Sequence, residues 1–278
     1  MTSPEAPIGR LVVCPTPIGN LQDVTLRVLD ELAGADLVAC EDTRHTRVLL
    51  DRHGITASLI SLHEHNERQR SRELISRISA GEVVALVSDA GTPLVSDPGF
   101  ALVRECLAAG VHVEVLPGPS AVTTALVASG LPAERWRFVG FLPRAKGELS
   151  ALLADASETI VAFESPRRLA STLQLVAAAE PGRELAVCRE LTKLHEEVRR
   201  GTAAQLAEHY TSTTARGEIV LVFAAAGGQD AVDRRQAQDV LRELVAAGAK
   251  ARPAATALSR LTGLSANELY RGLLGEHQ

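Results

Sequence analysis

The sequence predicts an α/β protein made of two α/β domains and a short helical C-terminal region. Short apolar runs, of the length of buried parallel strands, alternate with longer segments in which apolar residues recur at helical spacing. This alternation is typical of βα units, which form a mostly parallel sheet covered by helices. Glycine, proline and charged residues follow most of the apolar runs, and such loops form the ligand crevice of open α/β sheets. The 278 residues are enough for two domains of ordinary size.

The charge and the aromatic content limit the partners that we expect. A net charge of −5 argues against general binding of DNA or other nucleic acids, although local basic pairs can still contact a phosphate backbone. An aromatic content of 3% leaves few side chains on which free single-stranded bases can stack. We therefore predict no DNA partner.

Neither a membrane segment nor a metal site is expected. No apolar run reaches the roughly 18 residues of a membrane-spanning helix, and the first residues lack the basic and apolar parts of a signal peptide. A cytoplasmic location is the resulting prediction. The four cysteines lie far apart and form no CxxC pair, which favours buried thiols over zinc ligands or disulfides: Cys14, Cys40, Cys106 and Cys188.

The first domain is predicted to span residues 1–132. Its apolar runs are expected to be strands of a mostly parallel sheet, with helices between them. The predicted strands are 11–14, 37–40, 59–62, 83–87 and 111–116, and the predicted helices are 25–33, 66–80, 100–109 and 121–129, the last one capped by Ser120. Gly130 and Pro132 interrupt the helical pattern, so residues 130–137 are predicted to be a hinge.

The loop over residues 88–99, SDAGTPLVSDPG, is the centre of the predicted site. It follows the middle strand and combines two carboxylates with rigid backbone corners and many hydrogen-bonding groups. Two interpretations of Asp89 and Asp97 are open. Either they contact a polar ligand, or Asp97 caps the next helix, with Pro98 as its first residue, while Asp89 shapes a turn.

Three other loops of this domain carry special residues. Residues 15–21, PTPIGNL, form a rigid turn that is neither a dinucleotide fingerprint nor a P-loop. Residues 41–46, EDTRHT, bring acid, base and hydroxyl groups to a strand end, although Asp42 or Thr43 can equally be a helix cap. The two histidines of residues 63–66, HEHN, point to opposite faces of an extended chain, which weakens a metal-binding interpretation.

The second domain is predicted to span residues 133–228, with a helical tail over 229–278. Strands are expected at 138–142, 159–163, 185–188 and 218–223, with charged residues after the first three, and Gly227 with Gly228 is expected to end the domain. In the tail, two apolar-periodic helices are broken at Gly263 and Leu264, with Ser265 as a cap. Their outline is that of a helix-turn-helix, for which packing is favoured over DNA reading.

Eight motifs, in this order and with compatible spacing, resemble those of the bacterial 16S rRNA cytidine 2′-O-methyltransferase family: PTPIGNL, AxEDTRHT, LHEHN, VSDAGTPLVSDPG, LPGPSA, GFLPR, ESPRRL and RELTK. The resemblance covers nearly the whole chain. It implies a tetrapyrrole methylase-like fold, in which two α/β domains enclose S-adenosyl-L-methionine in a cleft, and it implies a homodimer. The implied substrate is cytidine 1402 of 16S rRNA in the small ribosomal subunit.

Residues at the strand ends provide candidates for the reaction, and the resemblance implies which residues contact the cofactor. For the base that assists the ribose hydroxyl, Glu41 or Asp42 is favoured, with His65 as a further candidate, and Arg44 is expected to hold a phosphate or a polarised oxygen. The cofactor is expected to contact, largely through backbone groups, Pro17, Ser88, Asp89, Thr92, Ser120, Ala121, Phe163 and Leu191.

Several assignments remain open at this point. Glu164, Glu190 and Lys193 follow strands of the second domain and compete for the role of the base. Candidates for contacts with rRNA phosphates are three basic pairs, whose alternative is a solvated surface position: Arg144 with Lys146, Arg167 with Arg168, and Arg199 with Arg200.

Two other functions compete with rRNA methylation. The first is methylation of a tetrapyrrole or another small acceptor, but porphyrin-modifying members of the class have a glycine-rich first loop where this sequence has PTPIGNL. The second is magnesium-dependent phosphoryl transfer through Asp89 and Asp97. No glycine-rich phosphate cradle with a lysine accompanies these two aspartates.

Overall fold

Two five-stranded sheets organise the computed structural model, which describes residues 9–226, 234–262 and 264–274. The first sheet has the strand order β3-β2-β4-β1-β5, and all its pairings are parallel, as predicted. Its strands are β1 (Arg10–Val13), β2 (Leu37–Cys40), β3 (Leu59–Ser61), β4 (Val83–Leu86) and β5 (His112–Val115). The βα alternation of the sequence therefore predicted this half correctly.

The second sheet is mixed. Its order is β6-β7-β10-β8-β9, in which only the β6 and β7 pair is parallel. Its strands are β6 (Trp136–Phe141), β7 (Thr159–Glu164), β8 (Glu184–Arg189), β9 (Glu197–Thr202) and β10 (Ile219–Phe223). Strand β9 was not predicted, because the edge strand EVRRGT is largely polar and lacks the apolar run by which the other strands were found.

The helices of the first half cover both faces of the first sheet. They are α1 (Leu26–Gly34), α2 (Thr43–Arg52), α3 (Glu67–Ser79) and α4 (Phe100–Ala108), with a 3-10 helix at Leu21–Asp23, whereas α5 (Ala121–Ser129) follows β5 and packs on the second sheet. The side chains of Thr25 and Asp42 cap α1 and α2 by accepting hydrogen bonds from backbone N–H groups. Alternate residues of β1 enter the two cores, Leu11 on one face and Val12 on the other, so the sheet is buried on both sides.

Three helices of the second half were not predicted: α6 (Lys146–Ala154), α7 (Leu169–Ala179) and α8 (Ala203–Ser212). Lys146, which was expected in a loop, is the first residue of α6. A capping box between Thr202 and Gln205 begins α8, and this signal was present in the sequence. The three helices pack their apolar sides on the second sheet, around the fully buried Phe223.

Helix α5 connects the two halves. Although it follows the last strand of the first sheet, its buried residues Val122, Ala125 and Leu126 pack against Val161 of β7 and Val220 of β10. Gly130 ends the helix in the left-handed conformation, as the break in the pattern predicted. The domain boundary at residue 132 stays a prediction, and the boundary at residue 228 lies outside the described residues.

The tail forms a helical unit with its own core. Its helices are α9 (Arg234–Ala246), α10 (Ala251–Thr262) and α11 (Ala266–Leu274), and buried Ala237, Leu241, Leu258 and Leu269 pack between them. The expected breaks at Gly227, Gly228 and Gly263 lie outside the described residues. Within the described ranges, no helix is both long and apolar enough to span a membrane.

Candidate active site

The loops at the carboxyl ends of the two sheets face each other across a cavity of about 410 Å³. We call the loops that follow β1 to β5 the first-sheet edge. In the second sheet, antiparallel pairing brings the residues that follow β6, β7 and β8 to the same side as the residues that precede β9 and β10. We call this side the second-sheet edge. A cavity of this size at strand ends has the dimensions of a small-molecule site.

Hydrogen bonds tie the loops of the first-sheet edge together. Thr16 and Gly91 exchange two backbone hydrogen bonds of 2.9 Å, and the Thr16 hydroxyl donates to the Ser88 carbonyl at 3.0 Å. The Thr92 hydroxyl donates to the carbonyl of Pro119 at 3.3 Å. A Cβ atom on Gly118 would lie 2.6 Å from Cβ of Pro15, so only glycine permits this approach of the loops. The prolines and glycines of these motifs thus build a rigid wall of the cavity.

The loop over residues 15–21 also contacts the second-sheet edge. The backbone N–H of Asn20 donates to the Thr192 hydroxyl at 3.0 Å. A Cβ atom on Gly19 would lie 2.5 Å from Cγ of Lys193 and 2.7 Å from Oγ1 of Thr192, so the two loops touch at van der Waals distance. This contact closes one end of the cleft.

Five of the eight predicted cofactor residues line the cavity: Thr92, Ser120, Ala121, Phe163 and Leu191. The other three do not line it. Pro17 is not part of the lining, although its neighbour Ile18 is. The buried Ser88 donates its hydroxyl hydrogen to the Gly91 carbonyl. Asp89 accepts a hydrogen bond of 3.0 Å from the backbone N–H of Asp42. Ser88 and Asp89 therefore stabilise the loops that form the cavity wall and do not line the cavity themselves.

Ser120 occupies the cap position of α5, as predicted, but its side chain makes no capping hydrogen bond. The hydroxyl instead belongs to the cavity lining, where it is available to a ligand. The apolar part of the lining includes the rings of Phe141 and Phe163, which meet edge to face with centroids 5.4 Å apart. The cavity thus combines an aromatic wall with polar loop groups.

The loop over residues 88–99 adopts a conformation that the sequence did not predict. Helix α4 begins at Phe100, and the residue before it is Gly99 with φ 123°, so the interpretation of Asp97 as the cap and Pro98 as the first helical residue is wrong. Leu94 and Ser96 lie in the left-handed region at φ 73° and 68°. Non-glycine residues adopt this region at a cost, and such residues concentrate at functional loops. No sequence signal marks these two positions.

Carboxylates collect where this loop meets the end of β2. Asp97 lines the cavity, and its pKa is raised to about 6 by burial and by the negative charges of Glu41 and Asp89. Burial, together with Asp89 and Glu64, also raises the pKa of Glu41. A carboxylate with a raised pKa is a stronger proton acceptor, so these two groups have the electrostatics of a general base. Sequence reasoning left open whether Asp97 contacts a ligand and did not name it among the site residues.

Asp42 and Arg44 form an ion pair with each other. The Asp42 carboxylate caps α2 and accepts hydrogen bonds from the backbone N–H and from Nε and Nη2 of Arg44, at 2.8, 3.1 and 2.6 Å. These donors hold the pKa of Asp42 far below its ordinary value. Asp42 is consequently a weak base, and its role as a helix cap is confirmed. The exposed guanidinium of Arg44 is anchored at this edge and can still meet an anion.

His65 does not line the cavity. It lies in a separate groove between α3 and α4, and its ring stands edge-on to His63 with centroids 5.9 Å apart. Among the described residues there is no group of three or more His, Cys, Asp or Glu that could hold a metal ion.

The competing base candidates on the second-sheet edge are paired. Glu164 lines the cavity, but its buried carboxylate accepts hydrogen bonds from the Ser165 N–H at 2.7 Å and from the Thr172 hydroxyl at 2.6 Å. Glu190 accepts from Lys193 Nζ at 3.1 Å and from the Glu218 N–H at 2.9 Å, and its pKa is lowered, chiefly by the latter bond. These groups hold the second-sheet edge in shape.

Three of the candidate phosphate contacts are also used within the fold. Arg168 donates to the carbonyls of Leu142 and Pro143, and Arg200 donates to the carbonyls of Ala128 and Ser129. Arg199 pairs with Glu197 at 3.0 Å. The candidates that remain exposed and without an ion pair to any described residue are Arg144, Lys146 and Arg167.

Residues 10–207 match the family model of the tetrapyrrole (corrin/porphyrin) methylases. The chain belongs to this family. The methylase is 48% identical over 270 residues to the ribosomal RNA small subunit methyltransferase I of Mesorhizobium japonicum, covering 95% of this chain and 91% of the relative. The protein of the same name from Thermotoga maritima is 44% identical over 218 residues, covering 78% and 98%.

A solved uroporphyrin-III-C-methyltransferase from Thermus thermophilus shares the fold of the methylase. It has a TM-score of 0.57 and 23% identity, and the match covers 77% of this chain and 94% of that one. The match to the family model ends within α8, and the Thermotoga relative is matched almost completely by about four fifths of this chain. About a fifth of this chain therefore has no counterpart in the Thermotoga relative.

Proposed function

We propose that this protein transfers a methyl group from S-adenosyl-L-methionine to the 2′-hydroxyl of a cytidine, position 1402, in 16S rRNA. The observation that carries the proposal is the identity of 48% over 95% of the chain to a relative named ribosomal RNA small subunit methyltransferase I. The substrate is then the rRNA of the small ribosomal subunit.

The cavity between the two sheet edges suits the cofactor chemically. Phe141 and Phe163 offer an aromatic wall for a flat base, and the Thr92 and Ser120 hydroxyls offer polar contacts. Asp97, in the same cavity, provides negative charge opposite a cationic ligand. We propose that these residues hold S-adenosyl-L-methionine, together with Ala121 and Leu191. Pro17, Ser88 and Asp89 then act by fixing the loops that bear the contacts. The cofactor supplies an electrophilic methyl group on a sulfonium.

We propose Glu41 as the base that receives the proton of the ribose hydroxyl. Its raised pKa makes it a better acceptor than Asp42, whose carboxylate is held by Arg44 and the start of α2. Asp97 is its electrostatic partner, because the negative charge of Glu41 contributes to the raised pKa of Asp97. Arg44 then contacts an rRNA phosphate, and His65, which lies in the groove between α3 and α4, contacts the RNA and does not take the proton.

The family resemblance supports two further proposals: the protein is a homodimer, and it acts in the cytoplasm. We also propose the domain division at residues 132 and 228. The first of these boundaries lies between the end of α5 at Ser129 and the start of β6 at Trp136.

Methylation of purified small ribosomal subunits from a strain that lacks the modification tests the function directly. We expect transfer of labelled methyl from S-adenosyl-L-methionine to one cytidine ribose, with less transfer to free 16S rRNA. Mass spectrometry of the digested RNA identifies the nucleotide. Methylation of a tetrapyrrole and of neither RNA sample would overturn the proposal.

A further inference from the structure

A second groove lies between the first turns of α3 and α4 and has a volume of about 500 Å³. We call it the α3–α4 groove. It is separate from the cleft that we assign to the cofactor, and the polar and aromatic side chains that line it include Glu64, His65, Glu67, Arg68, Phe100 and Arg104. Of these side chains, only His65 was predicted from the sequence to belong to a site.

Phe100 is the unusual member of this groove. It is 64% exposed at the first position of α4, although the chain has only five phenylalanines. One turn later, the guanidinium carbon of Arg104 lies over its ring at 5.8 Å from the centroid. An exposed ring with an arginine beside it is a surface on which a nucleobase stacks, because both groups have flat faces and the arginine adds a cation–π contribution.

Two guanidinium groups of the groove are available to an anionic ligand. Arg68 and Arg104 form no ion pair with any residue of the part of the chain that the structure describes. The Glu67 carboxylate is already used, since it accepts hydrogen bonds from the backbone N–H groups of Gly99 and Ala101 at 3.0 and 2.8 Å. Glu64 is the remaining acidic side chain. Two guanidinium groups beside an aromatic ring match a nucleotide, which presents a phosphate and a base together.

The α3–α4 groove adjoins the carboxylates of the first-sheet edge. The loop over residues 88–99 separates the two sites: Asp97 lines the cleft, and Phe100, three residues later, lines the groove. On the other side, Glu64 lines the groove and is close enough to Glu41 to raise its pKa. A strand whose ribose reaches Glu41 can therefore place a neighbouring nucleotide in the groove.

We propose that the α3–α4 groove binds a nucleotide of the rRNA strand next to the methylated residue. The base stacks on Phe100, and Arg68 and Arg104 hold the adjoining phosphates. This inference rests on the proposed function, since it assigns part of the RNA substrate to a place on the protein.

The test compares two variants of the groove, Phe100→Leu and Arg68→Gln with Arg104→Gln, in the full chain saturated with S-adenosylhomocysteine. Binding to small subunits is measured by filter retention at several salt concentrations. We expect about tenfold weaker binding for Phe100→Leu, which is the scale on which a single stacked base contributes to affinity. The double arginine variant should flatten the logarithmic salt dependence by about 0.7 for each phosphate that the protein no longer neutralises.

Matched controls lie on the same two helices but outside the groove. Leu107→Ala removes another exposed apolar side chain of α4, and Arg72→Gln removes another arginine of α3. Both should bind subunits as the unchanged protein does. Affinity for S-adenosylhomocysteine, measured by calorimetry, should be the same in all variants, because the cleft is untouched.

Three results would overturn the inference. The first is subunit binding by the groove variants that equals that of the controls. The second is binding that is equally weak in groove and control variants. The third is a change in oligomeric state on gel filtration of Phe100→Leu, which would make the groove a contact between copies of the chain. Failure of the proposed function is seen separately, as absence of methyl transfer by the unchanged protein, and the binding comparison still decides the role of the groove.

Discussion

Both sheet edges that enclose the cleft carry carboxylates, but the surroundings of these carboxylates differ between the two edges. On the first-sheet edge, Glu41, Asp89 and Asp97 form no ion pair with any described residue, and the pKa values of Glu41 and Asp97 are raised. On the second-sheet edge, Glu164 is buried against donors, and Glu190 is paired with Lys193. Like charges brought together without cations raise proton affinity, whereas paired charges fix structure. The difference supports the proposal that the first edge provides the base and that the second edge has a structural role.

The largest expected effect separates the two edges by activity. Glu41→Gln should lower turnover about 100-fold or more and leave cofactor affinity intact, because it removes the proposed proton acceptor and keeps its shape. The matched change on the other edge, Glu190→Gln, should alter turnover by no more than about fivefold, since a partly exposed ion pair contributes about 1 kcal/mol at most. Steady-state methylation and calorimetry measure both. The reverse pattern would move the base to the second-sheet edge.

The next effect is one of stability and concerns the second edge. Thr172→Val removes the hydroxyl that donates to buried Glu164 at 2.6 Å, so the free energy of unfolding should fall by about 1–3 kcal/mol. Thr256→Val is the control, because the Thr256 hydroxyl is exposed and donates only to a carbonyl of its own helix. Its effect should stay within about 0.5 kcal/mol. Denaturant unfolding compares them, and equal losses of stability would show that Glu164 does not depend on its partners.

The smallest expected effect is the loss of stability caused by ionisation of Asp97, which forms no ion pair with any described residue. Because the pKa of Asp97 is about 6 in the folded protein and 3.8 is its ordinary value, the folded state binds this proton more tightly than the unfolded state. Ionisation of Asp97 therefore destabilises the fold progressively as the pH rises from about 4 through 6. Asp97→Asn should increase the free energy of unfolding by about 1 kcal/mol at pH 8, after allowance for solvent screening, and give no gain near pH 4.

Unfolding curves of Asp97→Asn at the two pH values give this comparison. Asp51→Asn, at an exposed position of α2, is the control and should show no such dependence on pH. A gain for Asp97→Asn that is the same at pH 4 and pH 8 would mean that ionisation of Asp97 is not its cause.

The strands of the first sheet were predicted well from the sequence, because short apolar runs between turn residues leave local signals, whereas the conformation of the loop over residues 88–99 was not predicted. Strand β9 was missed, since its polar residues EVRRGT do not resemble a buried strand, and so were the antiparallel pairings of the second sheet, which depend on distant partners. In the site, the cap role of Asp42 was readable from its position. The raised pKa of Asp97 was not, because it arises from burial and from charges brought together by folding.

Helix α5 has a consequence for the order in which the protein can fold. Val122 and Leu126 are synthesised right after the first sheet, but their partner strand β10 ends at Phe223, about a hundred residues later. At usual rates of translation this delay is on the order of ten seconds. During that time the first sheet can form on the ribosome, while the apolar side of α5 has no surface to cover it. The nascent chain therefore exposes an apolar helix directly after its completed first sheet, where a chaperone can bind it.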